Sequence, residues 1–197
     1  MLKKSGFKSN KTLESFDFSF NPKINEKLIR DIAACRFIEE KVPVIFKGSC
    51  GTGKSHLAQA VGHCAICQGI DVKFLTQSKL LRELHAAKAA GNYNKLLKQL
   101  IKVPLLIIDD FGLKPLRSPD DEYIHELIEE RYEQAATLIT SNLDVDEWLQ
   151  IFSNQLLGAA TVDRLRHAAY QVPLIGKSYR STQADKKQKE GLQQREK

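Results

Sequence analysis

Hydrophobic positions along the chain follow two alternating periods, which predict strands and helices in turn. Short apolar or β-branched runs predict the strands, and they read PVIFKG, DVKFLT, VPLLIIDD, ATLITSN and YQVPLIG in chain order. Helical periodicity lies between them, for example in KSHLAQAVGHCAICQG and PDDEYIHELIEERYEQ. VPLLIIDD is almost wholly apolar before its two acids, which is typical of a central parallel strand covered on both faces. The pattern therefore predicts an α/β fold with a mostly parallel sheet.

The segment before the first strand predicts a groove of aromatic side chains and then one helix. TLESFDFSF alternates aromatic and polar positions, so its three phenylalanines are expected along one edge groove. Asn21-Pro22 is typical of a helix start, with Asn21 as the cap and Pro22 in the first turn. A single helix is predicted from there to about Glu40.

The length and the polar ends of the chain predict one domain with two appendages. The 197 residues suit a single domain. Residues 1–12 are expected to form a basic flexible arm, 13–182 the domain, and 183–197 a polar, disordered tail. No apolar run reaches membrane-spanning length, and the first residues lack the apolar core of a signal peptide. A cytoplasmic protein with no membrane partner is expected.

The formal net charge of +6 is unevenly distributed. Residues 79–102 contain six basic residues and one acid, Glu83, and both ends of the chain are also basic. The basic residues of that segment are Lys79, Arg82, Lys88, Lys95, Lys98 and Lys102. Such segregation favours a polyanion partner, of which nucleic acid is the commonest, about equally with a set of solvated faces. The residues proposed to contact DNA are Lys88, Lys95, Lys98 and Lys102.

Two of the four cysteines, Cys64 and Cys67, form a CxxC pattern. A zinc site needs a second pair of ligands at a suitable spacing, and the sequence offers none. Cysteines three residues apart lie on one face of a helix. Packing against the core is therefore expected ahead of metal or redox chemistry.

A glycine-rich segment predicts a phosphate site. The sequence from 48 to 55 fits the pattern G-x-x-x-x-G-K-[ST] at each fixed position: Gly48, Ser49, Cys50, Gly51, Thr52, Gly53, Lys54 and Ser55. A predicted strand precedes it and a predicted helix follows it, so its N–H groups can surround phosphate at a helix N-terminus. Lys54 is expected on the β- and γ-phosphates of ATP and the Ser55 hydroxyl on Mg²⁺. His56 completes the expected nucleotide-binding residues. A glycine-rich turn before an ordinary helix is the alternative.

Polar residues at the ends of two later strands predict the chemistry. Asp109 and Asp110 end LLIIDD, where a carboxylate can meet phosphate-bound Mg²⁺. Asp109 is the expected magnesium-side acid, directly or through water, and Asp110 is expected to polarise the attacking water. Asn142 follows the next strand and is expected to orient that water or to contact the γ-phosphate. Ser-Asn also makes good turns, so this third element is weak on its own.

Six segments together resemble IstB-like ATP-binding proteins, the ATPase helpers of certain insertion-sequence transposases. These segments are TLESFDFSF, GSCGTGKSHLA, LLIIDDFG, ERYEQAATLITSN, TVDRLRHAA and GKSYR, in this order, within residues 12–182. The DnaC-type helicase loaders are close relatives of that family, and DnaA is a more distant one. The loop alone is generic to P-loop NTPases, whereas the combination is far more specific.

The resemblance implies an AAA+ ATPase with a three-layer αβα sandwich and strand order 5-1-4-3-2. It implies ATP bound between subunits of a homo-oligomer on DNA, with Arg164 as the arginine finger from a neighbour and Arg166 as the local rival. Arg180 matches a second family arginine that senses nucleotide. Three departures are expected to matter. The relatives have a further N-terminal helical region, many AAA+ proteins have Glu where Asp110 stands, and little chain remains after Arg180 for a C-terminal lid.

The expected function is a DNA-stimulated Mg²⁺-ATPase that assists a transposase in choosing or remodelling its target. A replicative helicase loader is the alternative within the family. A nucleotide-dependent switch that binds DNA without hydrolysis, or a truncated remnant, is the alternative from another class. A small-molecule kinase would need an acceptor site, which the sequence does not offer.

Overall fold

A computed structural model describes residues 5–7 and 11–179, and it is built around one parallel sheet. The strands are β1 (Val44–Lys47), β2 (Val72–Thr76), β3 (Leu105–Phe111), β4 (Ala136–Ser141) and β5 (Tyr170–Pro173). The helices are α1 (Glu26–Ala33), α2 (Arg36–Glu39), α3 (Lys54–Cys67), α4 (Gln77–Ala89), α5 (Tyr93–Lys102), α6 (Asp120–Arg131) and α7 (Gln155–Arg166). Two 3-10 helices span Phe18–Phe20 and Val145–Ile151.

The strand order is β2-β3-β4-β1-β5, and each neighbouring pair is parallel. This confirms the α/β class and the implied order 5-1-4-3-2, which is the same order read from the other edge. β4 is buried at all six positions, and β3 at all but Asp110. The apolar run VPLLIIDD therefore forms an inner strand, as its composition predicted.

Side chains of the strands alternate between two apolar layers, which gives the three-layer sandwich. Val44, Phe46 and Leu138 face the layer that contains α1, α2 and α3. Ile45 and Ile139 face the opposite layer, which is built from α4 to α7 and the second 3-10 helix. Because the carboxyl ends of parallel strands meet at one edge, the loops after β1, β3 and β4 come together there.

The helix predicted from Asn21-Pro22 to Glu40 is wrong in its start and its continuity. Asn25 is the cap of α1, since its side chain accepts a hydrogen bond from Leu28 N at 3.0 Å. Cys35 then has a φ of +66°, which breaks the helix between α1 and α2. The fold buries Cys35 and so fixes a turn that the apolar periodicity could not indicate.

Part of the predicted flexible arm contacts the domain. Ser5 is 1% exposed, and the Phe7 ring stacks on His63 of α3 with centroids 4.9 Å apart. Phe7 also lies against Phe74 of β2. The domain boundaries at 12, 13 and 182 stay predictions, and Arg180 and the tail lie outside the described residues.

The cysteine pair is only partly as predicted. Cys64 is half-buried but Cys67 is exposed on α3, so only one of the two packs against the core. Among the described residues, no group of three or more His, Cys, Asp or Glu side chains is arranged to hold a metal ion. In the same part of the chain, no helix combines the length and apolar character that crossing a membrane requires.

Candidate nucleotide-binding site

The predicted phosphate loop connects β1 to the N-terminus of α3, the context in which such a loop binds anions. Gly53 precedes α3 with a φ of +101°, and a Cβ at this position would lie 2.5 Å from Cε2 of Phe16. At Gly48 a Cβ would lie 2.3 Å from the carbonyl oxygen of Leu174. Both positions therefore require glycine. The 14 residues of α3 direct the positive end of its dipole into the loop.

The Lys54 side chain is held in place by hydrogen bonds to main-chain carbonyl groups of the loop. Its ammonium donates hydrogen bonds to the carbonyl oxygens of Gly48 at 2.7 Å and Ser49 at 2.8 Å. The side chain is 6% exposed. The Thr52 hydroxyl donates to the same Ser49 carbonyl at 2.9 Å, which closes the loop on itself. A cation is thus held against the loop, at the cavity where a phosphate would lie.

The two acids at the end of β3 lie in a β-bulge, and they have different surroundings. Ile108 pairs with Ile139 and Phe111 with Ser141, so Asp109 and Asp110 both face the single residue Thr140 of β4. The Thr140 hydroxyl donates to Asp109 Oδ1 at 2.5 Å and accepts from the Asp110 N–H at 3.0 Å. Asp109 is 5% exposed. Asp110 has a φ of +58°.

A cavity of about 540 Å³ lies between the loop, the acids and the N-terminal segment. Its size is within the usual range for ligand sites. The predicted residues that line it are Cys50, Gly51, Thr52, Gly53, Lys54, Ser55, His56, Asp110 and Asn142. Gly48, Ser49 and Asp109 are not among the lining residues. The structure thus brings the loop, one acid and the Asn142 side chain to one cavity, with Asp109 buried next to them.

An aromatic wall on this cavity was only partly anticipated. Phe16 and Phe20 come from the alternating segment predicted to line a groove, and Tyr179 comes from the segment after β5. The Phe20 and Tyr179 rings meet edge to face with centroids 4.9 Å apart. The Tyr179 N–H donates to the Gly51 carbonyl at 3.0 Å, which attaches this wall to the phosphate loop. Flat apolar rings next to a phosphate loop are suited to a nucleobase.

Asn21 connects the N-terminal part of the aromatic wall to the segment after β5 by hydrogen bonds. Its side-chain oxygen accepts from Lys177 N at 3.1 Å, and its amide nitrogen donates to Lys177 O at 3.3 Å. The side chain is buried. Sequence reasoning assigned Asn21 to a helix cap, and its distance of 156 residues from Lys177 left no local signal for this contact.

His56 joins α3 to the N-terminal segment at the edge of the cavity. Its Nε2 lies 2.9 Å from the Thr12 carbonyl oxygen and 3.2 Å from the Ser15 hydroxyl. The Phe16 ring meets it edge to face. Burial lowers the pKa of His56 below its usual value. A neutral imidazole is therefore favoured, with the proton on Nε2 for the Thr12 carbonyl.

Arg164 lies away from this cavity. α6 and α7 run side by side in the same direction, because contacts follow one another in order: Asp121 with Asn154, His125 with Thr161, and Glu129 with Arg164. α6 ends just before the amino end of β4. Arg164 therefore lies near the amino ends of the strands, whereas the phosphate loop lies at their carboxyl ends. Its guanidinium contacts Glu129 Oε2 at 2.5 Å. Arg166 instead pairs with Asp146.

The four lysines proposed to contact DNA are exposed on α4 and α5. Lys95, Lys98 and Lys102 are exposed on α5, and Lys88 is exposed near the end of α4. The Lys88 ammonium lies 5.0 Å from the centre of the Tyr93 ring, which keeps it between the two helices. The four lysines proposed for DNA thus belong to one pair of neighbouring helices.

Comparison with known families matches residues 1–188 to the family described as IstB-like ATP binding protein. The chain is 36% identical over 180 residues to an insertion sequence IS232 putative ATP-binding protein of Bacillus thuringiensis subsp. berliner, covering 91% of this chain and 72% of that protein. It is also 36% identical over 170 residues to an insertion sequence IS21 putative ATP-binding protein of Pseudomonas aeruginosa, covering 86% and 64% of the two chains.

Solved structures with a similar fold include those of a helicase loader and a replication initiator. A DnaC helicase loader has a TM-score of 0.65 with 28% identity over 74% of this chain and 85% of its own. A DnaI structure has a TM-score of 0.71 with 24% identity, covering 83% and 90% of the two chains. A replication initiator DnaA bound to AMPPCP and single-stranded DNA has a TM-score of 0.68 with 21% identity. That match covers 85% of this chain but only about half, 51%, of the DnaA chain.

Proposed function

Because the chain belongs to the family of IstB-like ATP-binding proteins, we propose that its cavity binds and hydrolyses ATP with Mg²⁺ while the protein is assembled on DNA. The observation that carries the proposal is the meeting of Lys54, Asp110 and Asn142 at one cavity with an aromatic wall. A site that only bound Mg-ATP would need one acid for the ion, whereas here a second acid and an amide side chain also lie at the phosphate end. The location expected for such a protein is the cytoplasm.

The cavity suggests how ATP would lie in it. The phosphates would be bound by the loop amides and Lys54, at the positive end of the α3 dipole. The adenine would lie against Phe16, Phe20 and Tyr179, which share the cavity with the loop. This placement adds an adenine site to the phosphate contacts that the sequence predicted.

The residues present also fit a magnesium ion. Ser55 and Asp110 supply hydroxyl and carboxylate oxygens at the cavity, and Asp109 lies directly behind. Mg²⁺ commonly takes one or two carboxylates and completes its coordination shell with phosphate oxygens and water. The absence of a group of three acidic or other metal-ligating side chains among the described residues is therefore compatible with a magnesium site. Ser55 and Asp109 would hold it, Asp109 through water because it is buried. When bound, the ion would neutralise charge on the phosphates.

Hydrolysis would depend on the two polar side chains at the strand ends. The Asp110 carboxylate would accept a hydrogen bond from the attacking water and polarise it. Asn142, exposed after β4, would orient the same water or the γ-phosphate. The Thr140 hydroxyl binds the Asp109 carboxylate but only the main-chain N–H of Asp110, so the Asp110 carboxylate is left available to the cavity.

Assistance to a transposase is the cellular role that we propose. The relatives at 36% identity are ATP-binding proteins of insertion sequences, which favours a transposase of the same element as the partner. The similarity to a DnaC helicase loader, at 28% identity, favours loading of a replicative helicase as the second candidate. A switch that binds nucleotide and DNA without hydrolysis is the third. Phosphate release separates it from the other two.

Phosphate release with and without duplex DNA tests this function. We expect ATP turnover that rises when DNA is added, together with a larger ATP-bound assembly by sizing. The double variant Lys95→Ala/Lys98→Ala should bind unrelated duplexes equally weakly and retain ATP affinity, because lysines on phosphates read no sequence. The slope of log affinity against log salt should fall by about two units, roughly one for each phosphate contact.

Two outcomes would contradict these assignments. No phosphate release in any condition would leave only the switch. Wild-type DNA binding by the double variant, with binding lost when residues 3–11 and 186–189 are removed, would assign DNA to the chain ends. Lys41→Ala, in a turn on another part of the surface, is the matched lysine control.

Arg164 is expected to act on the ATP of a neighbouring subunit. Arg164→Ala should bind nucleotide as the wild type does and lose assembly-dependent turnover by about 10³-fold or more. A mixture of Arg164→Ala with Lys54→Ala chains should recover activity, since about a quarter of randomly formed head-to-tail interfaces would pair an intact loop with an intact finger. Arg166→Ala is the matched control. No recovery in mixtures that co-assemble would assign Arg164 a structural role.

A further inference from the structure

The Gln77 side chain holds the loop that follows the acid pair. Gln77 is the first residue of α4, directly after β2, and is 2% exposed. Its amide oxygen accepts a hydrogen bond from Gly112 N at 2.7 Å, and its amide nitrogen donates to Lys114 O at 3.0 Å. Both partners are main-chain groups. One buried side chain therefore fixes this loop at two points, using the donor and the acceptor that an amide has.

The held loop begins at a residue in the left-handed backbone conformation. Asp110, two residues before Gly112, has its φ at +58°, a region that side chains other than Asn, Asp and Gly rarely occupy. On the β4 side, Thr140 accepts the Asp110 N–H at 3.0 Å, and the Ser141 hydroxyl donates to the Phe111 carbonyl at 2.7 Å. Such a conformation persists only where its surroundings fix it. Gln77 supplies the fixed points on the β2 side.

We propose that Gln77 is a positioning residue for Asp110. Its amide holds Gly112 and Lys114, and this keeps the bulge in the form that places Asp110 at the cavity. Gln77 is not among the residues that line the cavity, so it acts through the loop. The inference rests on the proposed role of Asp110 in hydrolysis. It adds a residue that neither the phosphate loop nor the acids identify.

Replacing the amide by an apolar side chain of similar length tests the positioning. In Gln77→Met both hydrogen bonds are lost, and the buried space stays filled. Turnover should fall about tenfold or more, because a displacement of a reacting group by about 1 Å can cost 10²-fold. ATP affinity should stay within about twofold, since Gln77 contributes no contact to the cavity. Gln134→Met, in an exposed turn before β4, is the matched control.

A second variant gives a readout that a merely structural role would not change. In Gln77→Glu the ionised carboxylate can accept from Gly112 N but cannot donate to Lys114 O. The protonated acid can do both, and burial raises the pKa of a carboxyl group that has no cationic partner. The turnover of this variant relative to wild type should therefore rise as the pH falls below neutral. A ratio that does not change with pH would contradict the positioning role.

Amide exchange separates this inference from the proposed function. The Gly112 N–H should exchange at least about tenfold faster in Gln77→Met than in the wild type, because it loses a buried acceptor. If the wild type hydrolyses ATP and Gln77→Met shows unchanged Gly112 exchange or unchanged turnover, the positioning inference is wrong and the proposed function stands. A parallel loss of ATP affinity and melting temperature shows a structural role and overturns the inference as well. Absence of turnover in the wild type overturns the proposed function and the catalytic part of the inference with it.

Discussion

Lys54→Ala is expected to weaken ATP binding by about 100-fold, which corresponds to about 2.7 kcal/mol. The Lys54 side chain lies against the loop and lines the cavity, and hydrogen bonds to charged groups contribute roughly 1.5–3 kcal/mol each. The alanine side chain cannot supply a cation to the β- and γ-phosphates, and no other residue of the loop is basic. Titration with a fluorescent ATP analogue measures the effect.

The loop conformation must be controlled in the same experiment. Lys54 also donates to the carbonyl oxygens of Gly48 and Ser49, so its removal could loosen the loop itself. The melting temperature of the variant reports that loss. Lys47→Ala is the matched control, because Lys47 ends β1 just before the loop and pairs with Asp144 at 2.7 Å. Affinity like that of the wild type in Lys54→Ala would refute the phosphate-loop assignment.

Local patterns in the sequence were sufficient to predict the strands and the place of the glycine-rich loop between β1 and α3. The loop from Gly48 to Ser55 is a contiguous motif, so its spacing alone was enough to predict a turn between a strand and a helix N-terminus. The strands were predictable because a buried parallel strand is apolar along its whole length, as β3 and β4 are. The order of the strands required the family resemblance, since no residue pattern specifies which strands are neighbours.

Contacts between distant parts of the chain were not predictable in this way. Tyr179 reaches the cavity because its N–H bonds to Gly51, and Asn21 does so through Lys177. No period or spacing in the sequence links these positions. The three phenylalanines near the N-terminus did predict a groove, but only the fold shows that two of them, Phe16 and Phe20, line the cavity beside the glycine-rich loop. Aromatic residues close to a phosphate loop in space are thus the part that sequence reasoning missed.

The difference between the two acids was also invisible in the sequence. Adjacent residues of a regular strand point to opposite faces of the sheet. The sequence could therefore suggest different roles for Asp109 and Asp110, but it could not show which of the two side chains is buried. The bulge opposite Thr140 decides this: it buries Asp109 and turns the next residue to the cavity. Family resemblance could not indicate the left-handed conformation of Asp110, because relatives with Glu at that place need not share it.

Asp110→Asn should therefore bind ATP as the wild type does but lose turnover by about 10²–10⁴-fold, the usual contribution of a general base. Asparagine tolerates a φ near +58° well, so the bulge and the hydrogen bond from its N–H to Thr140 should survive. Asp109→Asn should behave differently. It removes the charge that would hold Mg²⁺, and it should weaken magnesium-dependent ATP binding as well as turnover.

Single-turnover phosphate release and ATP titration at several magnesium concentrations separate the two variants. Asp71→Asn, an exposed acid directly before β2, is the matched control and should change neither measurement. The sharpest sign of the predicted roles is a magnesium dependence that Asp110→Asn keeps and Asp109→Asn loses. Lost binding in Asp110→Asn combined with normal turnover in Asp109→Asn would reverse the two roles. The buried acid would then be the structural one, held by Thr140, and the acid at the cavity would bind the ion.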